Sequence, residues 1–326
     1  MRAFAFAVAA WVVGFSAPSR ADTFVHDFGA ACSAMTIVGR MITCNDGQTI
    51  ALHSSVTPGC IQFSVVPQGR DYILTCLTPN LTGLWWRADE SGRGTWVSHQ
   101  GNTIFAIDYA YDGAGAARWR TLIAFKRAEG TYTGDVYATS GPSFQGSTFD
   151  SHSVSPSLLG PGSITIADAD HVTVDFENGA RTLARQQFGQ LPTCVFGQVA
   201  DLATVTNYTD LWWNPDESGW GINLAHQGDT IFAAWYTYGT DRTPMWLVTT
   251  AVKTASGAYA GDLYRAVGPP GPGLQATAVG AATFSFTSGN SATFAYSVQL
   301  PGMSTEVTQT KTITRQIFTM PGVACQ

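Results

Sequence analysis

Two adjacent acidic residues occur twice in this chain of 326 residues, each time just after a pair of tryptophans. The two segments read Trp85-Trp86-Arg87-Ala88-Asp89-Glu90-Ser91-Gly92 and Trp212-Trp213-Asn214-Pro215-Asp216-Glu217-Ser218-Gly219. Neighbouring carboxylates can act as general acids and bases or bind a hard cation. The same residues also favour a turn, in which Asp and Ser cap backbone groups and Gly takes a positive φ. We favour the turn, because adjacent residues on a strand point to opposite faces.

Other residues with catalytic potential give weaker signals. His99 and His226 each precede Gln-Gly at a predicted hairpin end, where a hydrogen bond that stabilises the turn is the simpler interpretation. The sequence has no nucleophile elbow, zinc-protease, phosphate-loop or dinucleotide motif. We therefore predict no catalytic residue, no metal site and no cofactor. The enzyme alternative is a glycan hydrolase that uses Asp216 or Glu217 with a second carboxylate such as Asp262.

The acidic motif belongs to a long internal repeat. Residues 80–142 align without a gap with residues 207–269, with roughly 30 identities over roughly 63 positions. A match of this length predicts a duplicated structural unit. We place copy one at 79–193 and copy two at 194–326.

Each copy has the pattern of an all-β unit. Alternating apolar and polar residues, broken by Gly, Pro, Asn and Asp, predict strands joined by short turns. Seven or eight such strands in a meander tend to close and so remove exposed edges. We predict two tandem antiparallel meander barrels or curled sheets. The strands predicted in copy two are 220–226, 230–238, 244–253, 258–266, 278–287, 292–299 and 305–318.

The chain before the repeat has two predicted parts. Residues 1–21 resemble a signal peptide, with Arg2, a short apolar run and a small-residue cleavage site, so we expect an exported protein, periplasmic or extracellular. No segment is long and apolar enough for an integral membrane helix. Residues 22–78 form a predicted small disulfide-rich β-unit, since a unit of this size needs covalent support.

The six cysteines, Cys32, Cys44, Cys60, Cys76, Cys194 and Cys325, are even in number, which in an exported chain favours disulfides. Spacing favours 32 with 44, 60 with 76 and 194 with 325, among the 15 pairings that six cysteines allow. Without Arg2 and Arg20, 15 basic residues face 23 acidic ones, a net charge of −8. That balance disfavours nucleic acid as a partner.

The two copies keep one face of a predicted strand and change the other. The kept face is aromatic and predicts core: Phe232, Ala234, Tyr236 and Tyr238 in copy two, and Phe105, Ile107, Tyr109 and Tyr111 in copy one. The changed positions are Trp220, Trp235, Met245 and Leu247, replaced in copy one by Arg93, Asp108, Arg118 and Arg120.

Buried, unpaired charges are too costly for a core, so we expect the changed face to be accessible in at least one copy. Three interpretations remain open: a ligand site in copy two, an interface between domains, or an exposed sheet face without a role. Two tryptophans in one exposed patch call for an explanation.

The segment from Leu211 to Ala233, which contains Trp-Trp-Asn-Pro-Asp-Glu-Ser-Gly-Trp-Gly, resembles a repeat of many exported proteobacterial proteins. Pro244-Met245-Trp246-Leu247-Val248 fits the same pattern. Copy one departs from it at Arg87, Ala88, Arg93 and Asp108. This family has no established activity, so the resemblance implies no catalytic residue. In architecture alone, the chain is similar to avidin-like and lipocalin-like barrels.

Our leading hypothesis is an exported non-enzymatic binding protein with copy two as the main binding module. Its ligand is a glycan or a protein, such as a secreted hydrolase. The predicted ligand-binding residues are Trp220, Trp235, Asn223 and Tyr236. The alternatives are the glycan hydrolase and a structural component of the cell surface. The sequence does not indicate an oligomeric state.

Overall fold

The structure is a computed structural model. It describes side chains over residues 80–318, apart from 128, 129, 147, 169, 178 and 193–201, and for Cys325; elsewhere it describes only the strands given below. The predicted signal peptide, 1–21, lies outside the described residues. None of the described residues belongs to a helix long and apolar enough to cross a membrane.

Six short strands precede the repeat and form two three-stranded sheets, in the orders β1-β6-β5 and β2-β3-β4. The strands are β1 (Thr23–His26), β2 (Met35–Val38), β3 (Met41–Cys44), β4 (Thr49–Ala51), β5 (Phe63–Gln68) and β6 (Asp71–Cys76). Cys32 and Cys60 lie outside the described residues, so the two predicted disulfides in this unit stay predictions.

Copy one folds into a closed eight-stranded antiparallel barrel, which we call barrel one. Its strands are β7 (Gly83–Trp86), β8 (Gly94–Gln100), β9 (Thr103–Tyr111), β10 (Ala117–Ala128), β11 (Thr131–Ser140), β12 (Ser155–Ile166), β13 (His171–Asp175) and β14 (Arg181–Arg185). The last strand pairs with the first, where Arg185 lies opposite Trp85. Arg185 also donates hydrogen bonds to the carbonyls of Asn80 and Thr82, which fixes the closure.

Copy two repeats this plan as barrel two. Its strands are β16 (Asp210–Trp213), β17 (Gly221–Gln227), β18 (Thr230–Tyr238), β19 (Pro244–Ala255), β20 (Ala258–Val267), β21 (Gln275–Ser288), β22 (Ser291–Val298) and β23 (Val307–Arg315); β15 (Cys194–Phe196) and β24 (Val323–Cys325) pair outside it. The β15–β24 register sets Cys194 opposite Cys325, and their disulfide stays a prediction. The predicted all-β fold with two tandem meander barrels is confirmed.

The structure corrects our assignment of the two strand faces. Trp235 lies opposite Leu247 in the sheet and points into barrel two, where its ring lies 5.3 Å from that of Phe294. Tyr238, on the other face, points outward and packs against Trp119 of barrel one, with 5.4 Å between ring centroids. The kept aromatic face is therefore an interface between barrels, and the changed face is the barrel interior. Apolar side chains that both copies keep are expected to be buried, but the pattern does not show whether they lie in a core or in an interface.

Contacts between the barrels come in pairs that follow the sequence repeat. The indole N–H of Trp119 donates to the carbonyl of Thr237 at 2.9 Å, and its counterpart Trp246 lies 3.5 Å from the carbonyl of Ala110. Two symmetric donors thus cross the same interface in opposite directions. This is the pattern of an isologous, two-fold interface, here built within one chain.

Two glutamines repeat the pattern at the edges of the interface. Gln227 accepts a hydrogen bond at 2.9 Å from the backbone N–H of Phe188. Gln100, its counterpart, accepts one at 2.9 Å from the backbone N–H of Phe318. Both glutamines are buried, so each bond replaces water that the amide has lost. These reciprocal contacts hold the two barrels together as one unit.

Candidate functional site at the barrel mouths

In an up-and-down barrel, alternate loops gather at the same end. We call one such end of each barrel its mouth. Mouth one carries the loops 87–93, 112–116, 141–154 and 176–180 of barrel one; mouth two carries 214–220, 239–243, 268–274 and 299–306 of barrel two. The positions at which the copies differ most in charge lie at these ends.

The four predicted ligand-binding residues lie in two different places. Trp220 and Trp235 lie inside mouth two and are 4% and 2% exposed. Asn223 and Tyr236 lie on the outer face, between the barrels, where the hydroxyl of Tyr109 donates to Asn223 Oδ1. Burial raises the pKa of Tyr236 well above its usual range, so its hydroxyl stays protonated. The structure does not bring the four side chains together, and their ligand role stays a prediction.

Mouth two is closed by a side chain from the other barrel. Phe144, in the loop 141–154 of barrel one, lies edge-on to Trp235 with 5.5 Å between ring centroids. Gln309 donates to the carbonyl of Gly146 at 2.9 Å and so fixes the loop on barrel two. The cavity that remains between Phe144, Trp220 and Trp235 has a volume of only about 10 Å³. Of the three interpretations of the tryptophan patch, contact between domains is the one that this geometry fits.

Mouth one has charged residues at the equivalent positions. Asp108, which replaces Trp235, is fully buried and binds two arginines: Arg93 at 3.1 Å and Arg120 at 2.8 Å. Arg181 approaches the same carboxylate to 3.6 Å and also pairs with Glu90. We call these five residues the arginine cluster. Three guanidiniums thus converge on one buried carboxylate.

The arginine cluster corrects our argument about accessibility. We expected four charged replacements to require a solvent-facing surface, because an unpaired buried charge is too costly. Three of them, Arg93, Asp108 and Arg120, instead lie inside barrel one as a mutually compensating set. The fourth, Arg118, is half-buried at the rim and pairs with Asp112 at 2.8 Å. Burial of these charges is tolerated because each carboxylate pairs with at least one arginine.

The arginine cluster has an excess of positive charge and partial access to solvent. Its three arginines and two acids give a net charge of +1. The side chains of Arg93, Arg120 and Arg181 are 20%, 16% and 13% exposed. The Nε groups of Arg93 and Arg181 are buried and have no hydrogen-bond partner. Burial, and after it the nearby charge of Arg93, lowers the pKa of Arg181. Such a site favours an added anion.

The repeated acidic motif forms a turn, as predicted. In copy two, Pro215–Glu217 is a 3-10 turn, and the side chain of Asn214, rather than Asp216, caps it by accepting from the Asp216 N–H at 3.0 Å. Glu217 binds Lys311 at 2.7 Å and accepts from the indole of Trp220 at 3.2 Å. Asp216 is exposed.

The remaining acid of the hydrolase alternative, Asp262, is exposed in the middle of β20, on the side wall of barrel two. Glu217 lies instead in a loop of mouth two. The fold therefore separates the proposed acid pair between the wall and the mouth.

The two histidines play the same structural part in both barrels. The backbone N–H of Tyr208 donates to His226 Nδ1 at 3.1 Å, and His226 Nε2 lies 2.9 Å from the hydroxyl of Tyr259. His99 makes the equivalent contacts with Leu81, at 3.4 Å, and with Tyr132, at 2.7 Å. Burial lowers the pKa of His99 to about 3 and that of His226 to about 4. Within the described residues no cluster of His, Cys, Asp or Glu could hold a metal.

A larger groove lies on the outer side of mouth two. It has a volume of about 510 Å³ and is bordered by Trp246, Arg265 and Arg118. The hairpin loop 299–306 forms one wall. Its counterpart in barrel one, 176–180, is three residues shorter between strand ends.

Comparisons with protein-family models, curated proteins and solved structures find no match for this chain. The sequence alone did not identify two residues that define the mouths. Arg181 lies beyond the gapless match, although it aligns with Lys311 once the closing motifs around Arg185 and Arg315 are superposed. Phe144 lies in a loop of 14 residues, where copy two has seven. This length difference is the sequence signal for the side chain that closes mouth two, which we call the plug.

Proposed function

We propose that this protein is a non-enzymatic binding protein that takes an acidic glycan at mouth one. The observation that carries the proposal is the arginine cluster, with a net positive charge and two unpartnered guanidinium N–H groups beside partly exposed side chains. Guanidinium groups recognise carboxylates and sulfates through paired, charge-assisted hydrogen bonds. The chain is acidic overall, so this positive charge is a local feature.

Binding fits the mouths better than catalysis does. Asp108 is committed to three arginines and Glu217 to Lys311, so neither carboxylate is left free to transfer a proton. We place the accessible site in copy one, although the sequence pointed to copy two, because Phe144 fills mouth two. Export to the periplasm or the medium remains part of the proposal, since a glycan ligand would be met there.

Calorimetric titration with a hexamer of galacturonic acid and with a neutral hexamer tests this proposal. We expect only the acidic hexamer to bind, and Arg93→Gln to weaken it about 10- to 100-fold, the loss of one charge-assisted contact of about 1.5–3 kcal/mol. Arg93 is the suitable position because Arg120 and Arg181 still neutralise Asp108 without it.

Arg127→Gln is the matched control. It removes the same charge from the exposed far end of β10, away from mouth one. Equal affinity for acidic and neutral hexamers, or equal losses from Arg93→Gln and Arg127→Gln, would contradict a site at the arginine cluster. Binding that persists unchanged at high salt would also contradict it.

A further inference from the structure

Mouth two has the composition of a binding site, but its centre is occupied by the protein itself. Trp220, Trp235 and Tyr296 surround the space that Phe144 fills. The ring centroid of Trp235 lies 4.5 Å from that of Tyr296 and 6.5 Å from that of Trp220. Three aromatic faces around one space would hold a flat apolar surface of a ligand.

Polar groups at the edge of this space suit hydroxyl groups. Glu217 and Lys311 form an ion pair there, and Gln309 lines the same wall. The indole N–H of Trp235 is buried and has no hydrogen-bond acceptor. A buried donor without a partner is uncommon in folded proteins and calls for an acceptor that the folded chain does not supply. The benzyl side chain of Phe144 cannot supply one.

The plug comes from a segment that the repeat itself identifies as an addition. Gly141–Val154 joins β11 to β12, whereas Gly268–Leu274 joins the equivalent strands of barrel two. Val154 packs against Gly219, and Leu274 packs against Gly92, which is the counterpart of Gly219 in the repeat. Val154 and Leu274 therefore occupy equivalent places. The seven additional residues of copy one therefore carry the plug, and the barrel closes without them in copy two.

We propose that mouth two is a masked site for a neutral pyranose ring, which binds between the tryptophans when Phe144 withdraws. The apolar C–H face of a pyranose matches the aromatic walls, and its hydroxyl edge matches Glu217, Lys311 and the free N–H of Trp235. Binding to wild type is weakened by the fraction of molecules in which the plug has withdrawn. This site is separate from mouth one and does not rest on the acidic-glycan proposal.

Variants of the plug test the masked site. Phe144→Ala removes the plug side chain alone, and deletion of residues 143–149 gives the loop the length it has in copy two. Titration uses an array of neutral oligosaccharides that covers gluco-, galacto- and mannopyranosides, with tryptophan fluorescence as the readout. We expect both variants to bind at least one of them at least tenfold more tightly than wild type, and Trp235→Ala added to Phe144→Ala to abolish the gain.

Phe188→Ala is the matched control, because it removes the same side chain from the edge of the barrel interface, where the ring of Phe188 lies 6.5 Å from that of Phe232, away from the cavity of mouth two. It should leave affinity unchanged. Unfolding curves establish that each variant is folded. If folded Phe144→Ala and the deletion variant bind no neutral sugar below millimolar concentration, or if Phe188→Ala gains as much affinity as Phe144→Ala, the masked site is wrong. Arg93→Gln should not alter this binding, which separates the outcome from that of mouth one.

Discussion

Neutralising Asp108 should be among the most damaging single changes in barrel one. Asp108 is fully buried, and three guanidiniums lie within 3.6 Å of its carboxylate. Asp108→Asn keeps the shape and one acceptor but leaves Arg93 and Arg120 without a counter-charge. Removing one partner from a buried ionic network costs about 3–5 kcal/mol. For a cooperative unit of this size that lowers Tm by about 6–20 °C.

Urea unfolding, followed by tryptophan fluorescence and by circular dichroism, measures this cost and checks that the transitions coincide. Asp262→Asn, at an exposed position of barrel two, is the control and should change the free energy of unfolding by less than about 0.5 kcal/mol. A loss below about 1 kcal/mol for Asp108→Asn would refute the view that this carboxylate holds the arginines together.

A combined variant sharpens the test. Arg93→Trp, Asp108→Trp and Arg120→Leu together give mouth one the residues of copy two, while Arg181 keeps Glu90 as its partner. Replacing a whole buried ionic set by apolar groups is often neutral, so we expect most of the stability lost in Asp108→Asn to return. A triple variant less stable than Asp108→Asn would contradict this.

Two further predictions concern the buried polar groups that the copies share. His99 and His226 are neutral when folded, with pKa values lowered to about 3 and about 4, so stability is complete above the unfolded pKa of about 6.5 and falls as pH drops from there toward those values. Each contributes up to about 1.4 kcal/mol per pH unit to the free energy of unfolding. Urea unfolding at pH 7, 6 and 5 measures this dependence, and a flat profile would contradict the prediction. Gln227→Ala leaves buried interface groups unpaired and should cost about 1–3 kcal/mol, and Gln100→Ala should cost the same by symmetry. A negligible cost for both would show that the barrels do not depend on these reciprocal contacts.

The sequence predicts the barrels well because their information is local and repeated. The strand predicted at 230–238 matches Thr230–Tyr238, and the turn at Asp216-Glu217 forms where its residues require one. The sequence pattern does not predict strand β16, because its four residues, Asp210–Trp213, are too few to show alternation.

The sites depend on relations that one strand cannot show. Whether Tyr236 or Trp235 faces the barrel interior follows from how the sheet curls and from what covers its outer face. Asp108 is tolerated inside because Arg93 and Arg120 pair with it and Arg181, at the far end of the copy, comes within 3.6 Å. The burial of Trp235 depends on Phe144, which comes from the other barrel. Each outcome rests on a long-range contact that strand periodicity does not encode.

A crystal structure of the protein with a hexamer of galacturonic acid tests the central claim most directly. We predict that one carboxylate of the glycan lies in mouth one, about 3 Å from the guanidinium nitrogens of Arg93 and Arg181. A glycan bound elsewhere, with Arg93 and Arg181 keeping only Asp108 and Glu90 as partners, would contradict the account.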